Sequence, residues 1–411
     1  MNNLVEKGVK RLKWARDHMD VIDIVREEVK DSGYLDGLNI SMALHVEAKT
    51  GILGLSLAHA GANIKMASCN PLSTDDSVAE ALREEYNLDV FAKRGETQEE
   101  YYDNLNKILE HDPDVVIDDG GDLISLIHTE RTDLIDGIYG GAEETTTGIV
   151  RLRAMEKDGA LKFPVMSVND AFMKHLFDNR YGTGQSTMDG LMTATNLQLS
   201  GKKVLVAGYG WCGKGIAMRA KGMGADVMVS EIDPIKAVEA KMEGFEVAPA
   251  KENIKKADFV VTVTGVKNVI GREEIQNAKD GCILANSGHF NNEISIPLLE
   301  EMSKDKREAR EDVMEYTLEN GKKIYLLADG RLVNLAVGQG HPAEIMDMSF
   351  SLQMLAAEYV VKNEGLEPKV HGIPRELDEK VARLRLKADG VEIDELTQEQ
   401  RDYVEGWEEG T

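Results

Sequence analysis

No stretch limits what this chain can fold into more than VLVAGYGWCGKG, residues 204–215. An apolar run from Val204 to Ala207 meets glycines at 208, 210 and 213, and a helical pattern follows from Lys214 to Gly222. Strand, tight turn and helix are predicted, because glycines let the backbone turn sharply and bring N–H groups and a helix N-terminus against a pyrophosphate. The next apolar run, ADVMVSE, stops at Glu231, roughly the twenty residues downstream at which an acid accepts hydrogen bonds from an adenosine ribose. A carboxylate there repels a 2′-phosphate, so Gly208, Gly210, Gly213 and Glu231 point to NAD rather than NADP.

The rest of the chain repeats this rhythm. DVVIDDGGDL (Asp114 to Leu123), ADFVVTVTG and GCILANSGH each read as a buried strand followed by a turn, the signature of parallel α/β layers. Before them, Val9, Leu12, Ala15, Met19, Ile22 and Val25 recur at helical spacing ahead of Gly33 and Gly37, predicting one or two amphipathic helices that end in a turn. The charged segment from Lys304 to Asn320 reads as helical, and AEIMDMSFSLQMLAAEYVVKN reads as a long, mostly buried helix. The last twenty residues carry acids with Arg401 as their one base, which predicts a solvated tail or a partner-dependent segment.

At 411 residues the chain exceeds what one core usually serves, so two domains are expected. A net charge of -25 argues against a nucleic-acid or anionic-membrane surface, either of which needs a cationic face. Cys69, Cys212 and Cys282 lie far apart and outside any C-x-x-C spacing, so neither a disulfide framework nor a metal site is expected. No segment reads as a signal peptide or membrane span, and a cytoplasmic location is expected.

LHVEAKT (Leu44 to Thr50) sets His45, Glu47 and Lys49 at alternate positions after a strand-like run. In an extended segment the three share a face and could converge on one small polar molecule. The same residues also suit a solvated strand end or a helix start.

Further polar strings are DDGGDL (118–123), GGAEETTTG (140–148), VNDAFMKHLFDNRYG (168–182), NSGHF (286–290) and GRLVNLAVGQGHP (330–342). With the glycine turn they closely resemble S-adenosylhomocysteine hydrolase, from about Lys13 to about Asp394. The resemblance implies an α/β fold with two domains, a Rossmann-type NAD-binding domain and an α/β substrate-binding domain, plus the acidic tail. The boundaries expected are 1–182 for the first part of the substrate domain, 184–342 for the NAD domain, 343–390 for the chain's return and 391–411 for the tail. A homotetramer is also implied.

It further implies NAD that stays bound and is used catalytically. Oxidation of the 3′-hydroxyl makes the C4′ proton acidic, homocysteine leaves by elimination, water adds, and the ketone is reduced again. By motif position, Lys174 is the base for the 3′-hydroxyl with Asp178 as its partner. His45 and Asp119 form the acid/base pair near C4′ and C5′, and His289 is a mobile histidine near C5′. Glu144 and Asn179 are expected at the sugar, Asn179 also at the nicotinamide, and Glu47, Lys49, Thr50 and His341 around the substrate, with His341 at the purine end. Thr145, Thr146, Thr147 and Asn334 are expected on NAD. A conventional NAD-dependent dehydrogenase and a non-catalytic NAD-binding regulator are the competing readings.

Three departures stand out. Thr183 replaces a cysteine that many family members carry near the nicotinamide, and YVEGWEEGT replaces their basic, aromatic C-terminus. Most of the family also reads His-x-Thr-x-Gln or His-x-Thr-x-Glu where this chain has His45, Glu47 and Lys49. The family's Gln or Glu faces purine position 6, where it accepts from adenine's amino group. A lysine has donors only, so Lys49 suits the carbonyl of hypoxanthine and predicts use of S-inosylhomocysteine.

Overall fold

The structure, a computed structural model, describes residues 3–407. Its strands form two sheets. The first has seven parallel strands in the order Val370–Gly372, Val165–Ser167, Gly140–Glu143, Val115–Asp118, Asn39–Ala43, Asn63–Ala67 and Asp89–Phe91. The second has eight, in the order Ser303–Arg310, Val313–Leu318, Lys323–Leu327, Cys282–Asn286, Phe259–Thr262, Lys203–Ala207, Asp226–Ser230 and Glu246–Val247. Central strands such as Val115–Asp118 and Cys282–Asn286 are buried along their whole length, as both faces of a parallel sheet are covered.

Each sheet has a point in its parallel part where strand order reverses. In the first, the chain leaves Asn39–Ala43 toward one edge and returns to Val115–Asp118 on the other side; in the second the same happens between Lys203–Ala207 and Phe259–Thr262. Beyond the carboxyl ends of strands at such a point a crevice opens that turns on either side can line. His45 and Asp119 follow the first pair of strands, while Gly208 and Thr264 follow the second.

The expected N-terminal helices are two, Asn3–Arg16 and Asp20–Ser32, the second closed by Gly33 at φ 71°. The helix Ala343–Lys362 is buried through most of its length and packs Met346, Phe350 and Leu352 into the core of the first sheet. Two buried acids from this returning chain cap helices far away in sequence. Asp347 accepts from the N–H of Val21 and Ile22 at 3.0 and 2.8 Å, and Asp378 from those of Phe172 and Met173 at 2.7 and 2.8 Å. The second cap matters because that helix carries Lys174.

The helix expected between Lys304 and Asn320 is instead an antiparallel hairpin, Ser303–Arg310 against Val313–Leu318. Its turn holds Asp312 at φ 60°, a conformation that aspartate tolerates. Charges that read as helical neighbours are cross-strand partners, with Glu315 held by Arg307 at 2.9 Å and Lys323 at 3.0 Å. Ser303–Arg310 is an exposed, heavily charged edge, which discourages pairing with another chain. The acidic tail is exposed from Val391 to Trp407 and contains one short helix, Gln398–Glu405, opened by a capping box between Thr397 and Gln400. No helix among the described residues is long and apolar enough to cross a membrane.

Candidate active site

A cavity of ≈ 1690 Å³ runs between the two crevices, lined on one side by His45, Asp119 and Lys174 and on the other by Gly208, Glu231 and Thr264. At the first switch point His45 Nδ1 lies 2.7 Å from Ser73 Oγ, and its Nε2 lies 3.5 Å from Asp119 Oδ2. Burial lowers the His45 pKa to about 4, against the upward pull of Asp119, so the ring is neutral at pH 7. His289 arrives from the second sheet and sets Nδ1 3.7 Å from Asp119 Oδ1. Gly120, at φ 108°, makes room for it, since a Cβ there would sit 2.3 Å from His289 Nε2.

The second cluster sits on a distorted helix. Phe172–Lys174 is α-helical, His175–Gly182 is a π-helix, and Thr183–Thr195 is α-helical again. Such bulges recur at functional sites. Lys174 Nζ meets Asp178 Oδ2 at 3.2 Å, Asn179 Oδ1 at 2.7 Å and Glu144 Oε1 at 3.4 Å, all of them buried. His341 Nδ1 closes on the other Asp178 oxygen at 2.6 Å, and Ser349 Oγ donates to Asp178 at 3.0 Å. Burial alone would lower the Lys174 pKa, but Asp178 and Glu144 outweigh it and hold the ammonium. Burial raises Glu144 to about 8 despite Lys174. Burial would also raise Asp178, but Lys174 and His341 overcome that and keep it ionised.

LHVEAKT is not one extended face. The strand stops at Ala43, His45 lies in the turn, and Ala48–His59 is a helix whose N-cap is Glu47. Glu47 accepts from the N–H of Lys49 and Thr50, both at 3.2 Å. All the same, His45, Glu47, Lys49 and Thr50 line the one cavity. Lys49 Nζ reaches Glu47 Oε2 at 2.5 Å and the carbonyl of Gln339 at 3.0 Å. The imidazole of His341 is occupied on Asp178, so of the segment 339–341 it is backbone that meets Lys49.

The residues on the other side fit a dinucleotide. Gly208 has φ 106°, a Cβ on Gly210 would meet open space, and one on Gly213 would strike Gly208 O at 2.0 Å. The helix Trp211–Gly222 then begins facing the turn. Glu231 accepts from Tyr209 N at 2.6 Å and Ile232 N at 2.7 Å, which fixes its carboxylate at the end of Asp226–Ser230. Asn334 donates to Ser186 Oγ at 3.2 Å while its Oδ1 is buried without a partner, an acceptor left for an amide N–H. Thr145 is an N-cap whose side chain makes no cap bond; Thr146 Oγ1 reaches Asn169 Oδ1 at 3.1 Å, and Thr147 lines the cavity.

Comparisons with known proteins show the family. The family model of the S-adenosyl-L-homocysteine hydrolase NAD-binding domain matches residues 179–340, and that of S-adenosyl-L-homocysteine hydrolase matches residues 2–135. An adenosylhomocysteinase of Thermoplasma volcanium is 60% identical over 98% of this chain and 99% of its own length. The chain belongs to the S-adenosyl-L-homocysteine hydrolase family. An S-inosyl-L-homocysteine hydrolase of Methanocaldococcus jannaschii is 58% identical over 100% of this chain and 98% of its own, and one of Methanothermobacter thermautotrophicus 53% over 100% and 98%. The protein is thus an NAD-dependent hydrolase.

Sequence reasoning missed several residues of this hydrolase site. Cys69 Sγ lies 3.3 Å from His45 Nδ1 and 3.6 Å from Asp119 Oδ2, and burial raises its pKa, with Asp119 adding to the effect. Ser73, Asn169 and Gln353 complete the two clusters, Gln353 donating to Glu144. Thr183 is buried with its hydroxyl 3.5 Å from Cys212 Sγ, so a thiol lies beside the position where a family cysteine is missing. CNPLST after the strand Asn63–Ala67 carried a signal for Cys69 and Ser73, because it too follows a strand end. Gln353, inside an apolar helix, carried none beyond being polar there.

Proposed function

We propose that this hydrolase cleaves a purine-nucleoside homocysteine thioether reversibly to nucleoside and L-homocysteine, and that it takes S-inosylhomocysteine in preference to S-adenosylhomocysteine. The observation that carries the preference is the state of Lys49. Its side chain is about 10% exposed, and two of its three donors are committed to Glu47 and Gln339. The third faces a lined cavity, and a buried ammonium with a free donor favours a carbonyl over an amino group. Glu47 is held by its own cap bonds, so it cannot easily turn to accept from adenine. Relatives bearing either name exist at similar identity, so the test is kcat/KM for both thioethers on the holoenzyme. Equal or adenosyl-favouring values would defeat the preference.

The residues divide the chemistry as follows. NAD, when bound, supplies a hydride acceptor for C3′, returns the hydride at the end, and brings a cationic ring that lowers the proton affinity of a lysine in the same cavity. Lys174, relieved of its proton, takes the 3′-hydroxyl proton at Nζ, while Asp178 and Asn179 orient it and Glu144 holds the ribose hydroxyls. Asp119 and the neutral His45 handle the C4′ proton and the proton for the leaving sulfur or incoming water. His289, contributed by the other sheet, completes this pair only when the two sheets approach, which also excludes water from the ketone and enone. Thr145, Thr146, Thr147, Asn334, Gly208, Gly210, Gly213 and Glu231 hold the dinucleotide. Residue His341 borders the purine through the backbone of its segment and steadies Asp178 with its ring.

We read the two sheets as the two domains, divided at 182/184 and 342 with 343–390 returning to the first and 391–411 as a tail. A cytoplasmic homotetramer that removes a product of methyl transfer is the setting this reading implies. Light scattering on the purified holoenzyme tests the assembly, and a fully active monomer at assay concentration would refute it.

A further inference from the structure

Behind the acid/base pair lies a second pair of carboxyl groups that the chemistry above does not use. Asp118 and Glu143 end adjacent parallel strands and stand in register, and neither has any exposed surface. Each binds the backbone of the turn that carries a site residue. Asp118 accepts from the N–H of Asp119 and Ile124, both at 2.9 Å. Glu143 Oε1 accepts from Gly120 N at 2.8 Å and Thr145 N at 2.9 Å. Between them they fix the turn around Asp119 and the turn around Glu144 and Thr145.

Among the described residues no cation forms an ion pair with Asp118 or Glu143. Arg151, whose guanidinium feels the charge of both, makes its contacts with Asp122 at 2.7 Å and with the carbonyl of Gly120 instead. The other titratable groups facing it are Asp119, Asp122, Cys69 and Tyr101, of which none brings positive charge. Glu143 Oε2 is buried with no partner, and the helix Thr146–Lys157 presses on it so closely that a Cβ on Gly148 would sit 2.1 Å from the carboxyl carbon. Two buried, in-register carboxylates cannot both ionise without strong repulsion.

We propose that Asp118 and Glu143 hold one proton between them and act as a single positioning unit for Asp119 and Glu144. With the proton in place the pair accepts the four backbone N–H groups without repelling itself. Without it, the two strand ends are driven apart and the turns bearing Asp119 and Glu144 lose their common spacing. Burial raises the pKa of both groups, and each raises the other or is raised by its acidic neighbours. The inference rests on the roles given to Asp119 and Glu144 above.

Difference infrared spectroscopy of the NAD-loaded enzyme against Glu143→Gln, both at neutral pH, tests the proton without substrate. Glu144, raised to about 8, contributes a protonated-carboxyl stretch to both proteins, so the signal is the difference: a protonated-carboxyl band is expected in the wild type that Glu143→Gln lacks, and a difference spectrum with no such loss overturns the proposal. The positioning role is read from kcat/KM against pH. Glu143→Gln, which keeps the acceptor and needs no proton, is expected to move the alkaline fall to higher pH by about one unit or more with NAD content unchanged. An alkaline limb that stays in place refutes it, and Asp118→Asn gives the same readout should the first variant not fold.

Discussion

Exchanging Lys49 for glutamine separates a recognition role for the ammonium from a purely structural one. The substitution leaves Glu47 its bonds to the N–H of Lys49 and Thr50, so the helix cap survives and no buried carboxylate is stranded without partners. With hypoxanthine, the wild type stands to gain a charge-assisted hydrogen bond, worth about 1.5–3 kcal/mol. Glutamine replaces it with a weaker neutral bond. With adenine, the lysine opposes donor to donor, and a glutamine oxygen relieves an unmet group that costs about 1–3 kcal/mol. Because the two effects overlap, a swing of roughly 2–4 kcal/mol is expected in discrimination, or about 30- to 700-fold in the ratio of kcat/KM values. The assay follows homocysteine thiol release from each thioether at sub-KM concentration, with NAD content determined in parallel. If the wild-type ratio favours the adenosyl thioether, or moves less than about threefold in Lys49→Gln, the reasoning fails.

Other outcomes follow from the same contacts. Asp378→Ala removes both cap bonds from the turn that leads into Lys174, and should cost about 1–2 kcal/mol in denaturant unfolding and lower kcat, with Asp378→Asn recovering part of each. Gly215→Ala would place a Cβ 1.7 Å from the carbonyl oxygen of Arg180, forcing the π-helix off the NAD-binding helix; a loss of about 1–3 kcal/mol and of retained NAD is expected by thermal unfolding and by absorbance of released cofactor. His45 has a pKa of about 4 in the folded protein and about 6.5 when unfolded. Between those values the unfolded chain binds a proton that the folded chain refuses, so stability present above about pH 6.5 falls as pH drops toward 4. His45→Gln should flatten that part of the stability profile, and an unchanged slope would count against a buried neutral ring.

How much of this was legible in sequence depends on whether a signal is local. Gly208, Gly210, Gly213 and Glu231 were, because turn, helix start and strand end lie within one βαβ unit whose spacing is fixed by geometry. The helix Ala343–Lys362 was too, since twenty mostly apolar residues have few other solutions. The hairpin at Ser303–Arg310 was not: alternating charges on an exposed edge strand resemble i,i+4 pairs until the partner strand is known. For LHVEAKT the convergence was legible but its cause was not. His45, Glu47 and Lys49 meet one cavity because a strand end, a cap and a first helical turn all border the crevice, not because three side chains alternate on a strand. Nor could spacing reveal the π-helix, which lets Lys174 touch residues four and five positions ahead at once.

The contacts that join the two sheets also explain why so much of the site had to be read from the fold. His289 reaches Asp119, His341 reaches Asp178, and Lys49 reaches the carbonyl of Gln339, each time pairing a residue that precedes the second sheet in the chain with one that follows one of its strands. Away from the chemistry, Arg94 bonds the carbonyl of Ala336 and adds to the same seam. These contacts are polar, and a polar seam gains little by closing in water but a great deal once substrate excludes it. On the roles proposed above, the side chains that would do the chemistry also hold the two halves together, so closing the cavity and assembling the acid/base groups would be one event. A hydrophobic seam would have held the halves shut without regard to what lay between them; this one is strongest only when the cavity is filled and dry.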